Sequence, residues 1–306
     1  MGGAFVAVAS DASATWWNPA GLGAGPFLDL TMGKAMTEQR GGLPVWRNKT
    51  SWLALATPPL GLSYYRFRIN DIRPFDPTGG DIAGREDRRA GVPVRSLSVT
   101  QWGVTVLRTV VTGVHTGTTV KYVRGTHRSS RADGLLPASE LLDHGDALED
   151  GEGEGHFDLD MGILAVAGVV RIGVVARNLR EPEFEAPAGS GEAPLRLPRQ
   201  FRVGVAIDPE LAGGIPLTVA FDLDVRGYTT ATGERKVVAV GIEQWLIGKR
   251  LGVRAGGRVN TVGSKERSVT AGVSIAARPG LFVEGHAVRG GSADEQGWGV
   301  GARVSF

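Results

Sequence analysis

Glu295-Gln296-Gly297-Trp298-Gly299-Val300-Gly301-Ala302-Arg303-Val304-Ser305-Phe306 ends the chain, and the fold turns on how this stretch is read. In an extended strand, successive side chains point to opposite faces. Trp298, Val300, Ala302, Val304 and Phe306 then share one face, while Gly299, Gly301, Arg303 and Ser305 share the other. One face suits lipid and the other water. An amphipathic edge strand of a soluble sandwich would show the same pattern, so the rest of the chain has to separate the two.

Composition removes several classes. The 306 residues include 46 glycines and no cysteine, which leaves no disulfide framework, thiolate metal site or cysteine nucleophile. Basic and acidic residues, 34 and 32, are mixed along the chain and give a net charge of +2, so no basic stripe marks a nucleic-acid partner. The longest apolar run, Met161 to Val170, is about half of what a membrane-crossing helix needs. The N-terminus shows no charged and apolar segments of a secretory signal, so an exported form has lost one upstream of Met1.

Period-2 alternation bounded by turn residues predicts fourteen strands, at 27–36, 50–58, 61–70, 95–108, 113–124, 157–166, 170–178, 199–208, 216–226, 235–246, 249–259, 267–277, 280–289 and 296–306. The number is even and the lengths suit tilted membrane strands. Gln101-Trp102 leaves the register of the fourth open, as a bulge or a break would. Connections at Pro58-Pro59-Leu60, 110–113, Gly168, 209–215, Ile247-Gly248 and Arg278-Pro279 are short, whereas 37–49, 71–94, 125–156 and 179–198 are long. Outer-membrane barrels have this asymmetry, with tight periplasmic turns, long outer loops and both termini on the periplasmic side.

Facing agrees with that reading. Leu217, Val219, Phe221, Leu223 and Val225 oppose Thr218, Asp222, Asp224 and Arg226, and Leu251, Val253, Ala255 and Val259 oppose Arg250, Arg254 and Arg258. A charge on the lipid side costs roughly 2–4 kcal/mol at the bilayer midplane, and these apolar faces carry none. A soluble sandwich could reverse the faces, but a ring of fourteen strands is too wide for wall side chains alone to fill. The expected architecture is therefore all-β: a 14-stranded antiparallel transmembrane β-barrel over residues 26–306 with a small N-terminal hatch or plug over 1–25.

Residues 1–25 do not alternate, and Asn18-Pro19 followed by Gly21 and Gly23 marks a tight turn. Gly2-Gly3-Ala4-Phe5-Val6-Ala7-Val8-Ala9, then Asp11, Ala14, Thr15 and Trp17-Asn18-Pro19-Ala20-Gly21-Leu22, resembles the hatch of the outer-membrane family that contains the fatty-acid transporter FadL and the secretion-associated barrel PorV. The strand ending at Phe306 resembles the one by which bacterial outer-membrane barrels are recognised for assembly. These resemblances imply an outer-membrane barrel, not an enzyme, with Trp17, Asn18, Pro19, Ala20 and Gly21 as hatch or gate. The implied partners are outer-membrane lipid, the assembly machinery, and a hydrophobic small molecule or an exported protein. Two functions follow. One is passage of a small hydrophobic or amphipathic molecule with the hatch as gate; the other is a PorV-like non-transporting barrel serving secretion or surface assembly. An apolar pocket reaching Asn18 speaks for the first, and a sealed, ion-paired lumen with exposed apolar loop tips speaks for the second.

With the polar face inward, Asp158, Asp160, Arg202, Asp222, Asp224, Arg226, Glu243, Arg254, Arg258, Glu284, His286 and Arg303 line the lumen. Their signs nearly balance, which fits bracing ion pairs or a conduit of alternating charge. Asp143 to Asp160 includes Asp146, Glu149, Asp150, Glu152 and Glu154 among glycines, a set of oxygen ligands without EF-hand spacing that reads as a solvated acidic loop. The histidines His115, His127, His144, His156 and His286 have no zinc spacing, and no cofactor is expected. Ser274, His286 and Glu284 on neighbouring strands outline a nucleophile, base and acid only loosely. Trp52, Trp245 and Trp298 lie near strand ends and are expected in interfacial girdles, with Trp16 and Trp17 packed in the hatch. Leu135, Leu136, Pro137, Leu141 and Leu142 form a loop tip or a short helix on the rim.

Overall fold

The computed structural model describes residues 1–41, 45–72, 91–149, 151–188, 193–291 and 295–306. Alternating polar and apolar residues need a sheet with two different environments, and here the sheet closes on itself into one antiparallel ring of fourteen strands. In chain order these are β1 (Asp29–Gln39), β2 (Val45–Thr57), β3 (Leu60–Ile72), β4 (Val92–Val111), β5 (Val114–Ala132), β6 (Glu154–Ala167) and β7 (Val170–Arg177). After two short strands, β8 (Glu183–Phe184) and β9 (Leu195–Arg196), come β10 (Gln200–Ile207) and β11 (Leu217–Asp224). A second small hairpin, β12 (Tyr228–Thr230) and β13 (Gly233–Arg235), precedes β14 (Val237–Leu246), β15 (Leu251–Asn260), β16 (Arg267–Arg278), β17 (Leu281–Gly290) and β18 (Glu295–Ser305). β18 pairs with β1, Asp29 opposite Ser305 and Gln39 opposite Glu295, and so closes the ring. Among the described residues no helix is long and apolar enough to cross a membrane.

All fourteen wall strands fall where alternation places them, with two differences. The register of β4 runs unbroken through Gln101 and Trp102, and its irregularity lies between Thr109 and Val111 instead. That extra residue sits against the tight turn at Gly113, whose φ of +79° only glycine adopts without strain. The second difference is length. β4 and β5 have 20 and 19 residues and run well past the predicted strand ends, because a helix packs on their outer face. This helix, α2 (Ala138–Ala147), follows α1 (Ala14–Trp17) in chain order. It buries Leu141 and Leu142 against Val45, Ile72 and Val94, while Leu135 stays exposed. Its Asp146 receives Arg47, Lys49 and Asn70 from the wall.

Between its rims the outer face is apolar, with Lys34, Arg66 and Arg124 exposed on it nearer the long connections. Val104, Ile163, Val240 and Val300 are each about half exposed and point away from the lumen. The aromatic girdle differs from the expected one. Trp298 is outside, but Trp52 stands on the inner set of β2 over Gly33, and Trp245 on the inner set of β14 donates to Glu243. Nearness to a strand end does not decide which way a residue points; parity along the strand does. The girdle is built from Tyr64, Trp102, Tyr122 and Phe157, consecutive rings 5.4–5.9 Å apart on β3 to β6.

Candidate functional site: the plugged lumen

A ring this wide is filled by the chain itself. Residues 1–25 run through the lumen, and inward-facing glycines of the wall let their backbone approach. Gly117 and Gly162, opposite each other on β5 and β6, lie under Pro19-Ala20 and under the Asn18 side chain. Gly173 and Gly204, opposite each other on β7 and β10, lie under Val6-Ala7. A side chain at any of these four positions would overlap the plug.

Asn18 is fully enclosed and joins three parts. Its Oδ1 accepts the N–H of Ala20, capping a 3₁₀ turn over Pro19–Ala24 that begins with proline, as a helix start favours. Its Nδ2 donates to Val6 O at 2.9 Å within the plug and to Ile163 O at 3.1 Å on the wall. Pro19, Ala20 and Gly21 are buried beside it. Trp17 stacks on Phe5 at 5.0 Å. Trp16 packs on Tyr65 and carries the Arg177 guanidinium 3.8 Å above its ring, a cation–π contact.

Five further hydrogen bonds, to four wall residues, fix the plug to the ring. Asp222 on β11 accepts the N–H of Phe5 at 2.8 Å and of Val6 at 3.0 Å. Asp29 on β1 accepts the N–H of Ala12, Gly2 N–H donates to Thr270 on β16, and Arg303 on β18 reaches Asp11 at 3.2 Å. Of the other lumen charges predicted from the strands, some pair with one another and some take partners outside that set. Asp224 receives Arg202, Arg254 lies between Glu243 and Glu284, and Arg258 reaches Glu295 at 2.7 Å. Arg226 is a correction: β11 ends at Asp224, and Arg226 is exposed in the bend beyond it, not in the lumen.

Ser274 donates to Glu284 at 3.1 Å and Glu284 binds Arg254, so the serine belongs to a brace and not to a pair with His286. The acidic stretch is likewise a source of counterions, which corrects its reading as a wholly solvated loop. Asp158 and Asp160, 0 % and 2 % exposed, hold Lys121 at 2.9 and 2.7 Å and accept the N–H of Arg180 and Asn178. Asp150 lies outside the described residues. Alternation hinted at Lys121, which shares the inner set of β5 with Val123, but its partners depend on cross-strand register.

Above the plug two hairpins fold inward. Phe184 of β8 is fully buried against Val123, Leu195 and Leu197, over Gly125. Glu183 receives Arg196 at 2.7 Å, and this carboxylate raises the guanidinium pKa further. A Phe184→Ala substitution is expected to free this hairpin. A loss of about 3 kcal/mol of local packing should raise the rate of proteolysis there on the order of a hundredfold, with the wall still resistant. Limited proteolysis of the refolded barrel checks it, and an unchanged cleavage rate would mean other contacts hold the hairpin.

The hairpins leave two spaces. A cavity of about 610 Å³ opens at the mouth, lined by Arg95, Glu183, Leu195, Arg196 and Thr230. A second, of about 310 Å³, rests on Gly2, Gly3 and Trp17 and is lined by Trp46, Arg202, Tyr228, Arg258 and, again, Thr230. The indole N–H of Trp46 has no hydrogen-bond partner among the described residues.

Fold and lumen together define a closed transmembrane β-barrel plugged by its own N-terminus. The same architecture occurs in the CymD monoaromatic hydrocarbon channel (TM-score 0.65, 13 % identity, 98 % of this chain and 94 % of that one). It occurs also in the toluene transporter TbuX of Ralstonia pickettii (0.61, 12 %, 96 % and 94 %) and in a Pseudomonas aeruginosa FadL homologue (0.62, 10 %, 99 % and 96 %). At these identities the likeness is one of fold. The family model described as "F plasmid transfer operon, TraF, protein" matches residues 47–224, more than half of the chain. The protein belongs to that TraF family. A comparison with curated proteins finds no match.

Proposed function

We propose that this barrel sits in a bacterial outer membrane and passes a small hydrophobic or amphipathic molecule, with residues 1–25 as the gate. The observation that carries this reading is the pair of cavities above the plug, one at the mouth and one resting on Trp17, with Thr230 lining both. The second cavity sets Trp17, Trp46, Tyr228, Ile69 and Val237 beside polar and charged side chains such as Arg202, Arg235 and Glu266, and the Trp46 N–H has no partner among the described residues, a lining that suits an amphipathic molecule with an acceptor. That hydrocarbon channels share the fold supports the same class of solute. The strand ending at the exposed Phe306 is the segment the assembly machinery would engage.

The test is single-channel conductance and solute uptake in planar bilayers, full chain against a chain lacking residues 1–25. Conductance that appears only without the plug is the expected result. A barrel silent in both forms overturns gating and turns attention to a second reading, an adaptor for secretion or surface assembly. That reading is favoured by the ion-paired lumen and by Asn18, which is fully enclosed, and it suits a family described by a plasmid transfer operon.

A further inference from the structure

The outer face of β1 to β6 carries a pattern that neither the plug nor the lumen uses. Register places Met32, Leu53, Tyr64, Trp102, Tyr122 and Phe157 in one row across six neighbouring strands. Two residues nearer the long connections, on the same face, the next row reads Lys34, Ser51, Arg66, Thr100, Arg124 and Gly155. Cations therefore recur on every second strand, about 10 Å apart at ordinary strand spacing. Small hydroxyl residues stand between them and no acid interrupts the row. Lys34, Arg66 and Arg124 are exposed.

The first row is the girdle, where amphipathic rings mark the end of the hydrocarbon layer. The cationic row thus sits at headgroup depth. One row further out, Lys49 and Arg68 both bind Asp146 on α2, through its carboxylate and its backbone carbonyl. Guanidinium groups present paired N–H donors that match phosphate oxygens, and the Ser51 and Thr100 hydroxyls can donate beside them.

We propose that the row Lys34, Ser51, Arg66, Thr100, Arg124 seats a phosphorylated lipid headgroup of the leaflet on the long-loop side, with acyl chains lying on the aromatic row below. Spacing of about 10 Å favours a headgroup that carries two phosphates over one. The assignment rests on the barrel spanning a membrane but not on transport, so a barrel that conducts nothing still reports on it.

Native mass spectrometry of the refolded full chain with lipid A, a bisphosphorylated glycolipid, tests the proposal against the triple variant Lys34→Gln, Arg66→Gln, Arg124→Gln. A cation near an anionic surface contributes about fivefold in binding, so the triple variant should retain at least about tenfold less lipid A and Arg124→Gln alone about fivefold less. Heat-modifiable gel mobility confirms that each variant is folded. Phosphatidylcholine, which has no net charge, should be retained weakly and equally by all. Equal retention of lipid A by wild type and both variants, or wild-type retention of phosphatidylcholine as strong as of lipid A, would overturn the proposal.

Discussion

Replacing Asp222 by alanine is expected to open the barrel without deleting any of the plug. This carboxylate accepts two consecutive backbone N–H groups, of Phe5 and Val6, inside the lumen. Hydrogen bonds to a charged acceptor contribute roughly 1.5–3 kcal/mol each, and buried donors left without a partner add their own desolvation cost. Loss of about 3 kcal/mol or more from the seated state shifts the seated-to-released ratio on the order of a hundredfold. Open-channel events in a planar bilayer should rise by a similar factor. Asp222→Asn keeps an acceptor oxygen and should fall between the two. If Asp222→Ala is silent while the chain without residues 1–25 conducts, the plug is held by Asn18, Asp29 and Arg303 instead.

Lys121→Met should be the most destabilising single change in the wall. Its ammonium lies between Asp158 and Asp160 and also donates to Asn178 Oδ1 at 2.9 Å. Both carboxylates are almost wholly removed from solvent. Breaking a buried ionic group by removing one sign leaves uncompensated charge and costs about 3–5 kcal/mol. Urea-induced unfolding of the refolded barrel, followed by tryptophan fluorescence, should show that loss. Adding Asp160→Asn to Lys121→Met removes one of the two stranded charges and should recover part of it. A double variant no more stable than the single would mean that Lys121 acts through packing of its stem.

Both predictions rest on pairs that local sequence does not display. The wall was legible because one rule, alternation at period two, governs every strand, and β9, β12 and the other non-wall segments never satisfied it for long enough to be mistaken for wall. Register was not legible. It decides that Lys121 meets Asp158 directly across β5 and β6, that the inward Trp52 meets Gly33, and that Tyr64, Trp102, Tyr122 and Phe157 line up in one row. Arg226 looked like a lumen residue because alternation continues past Asp224, but the chain leaves the wall there to form the β12–β13 hairpin. The glycines of the inner set were visible as composition. Their use became clear only with the plug in place, since Gly117, Gly162, Gly173 and Gly204 are small for what lies against them and not for their own backbone angles.

The seam between β1 and β18 has a consequence for how the molecule is made. Contacts that hold the first residues reach almost to the end of the chain: Gly2 bonds Thr270, 268 positions away, and Asp11 meets Arg303 after 292. Only residues 26–28 separate the plug from β1. The plug therefore gains its full set of wall contacts only when β18 has closed against β1, and Arg303 on that last strand completes the set. Contacts this distant in sequence make closure slow.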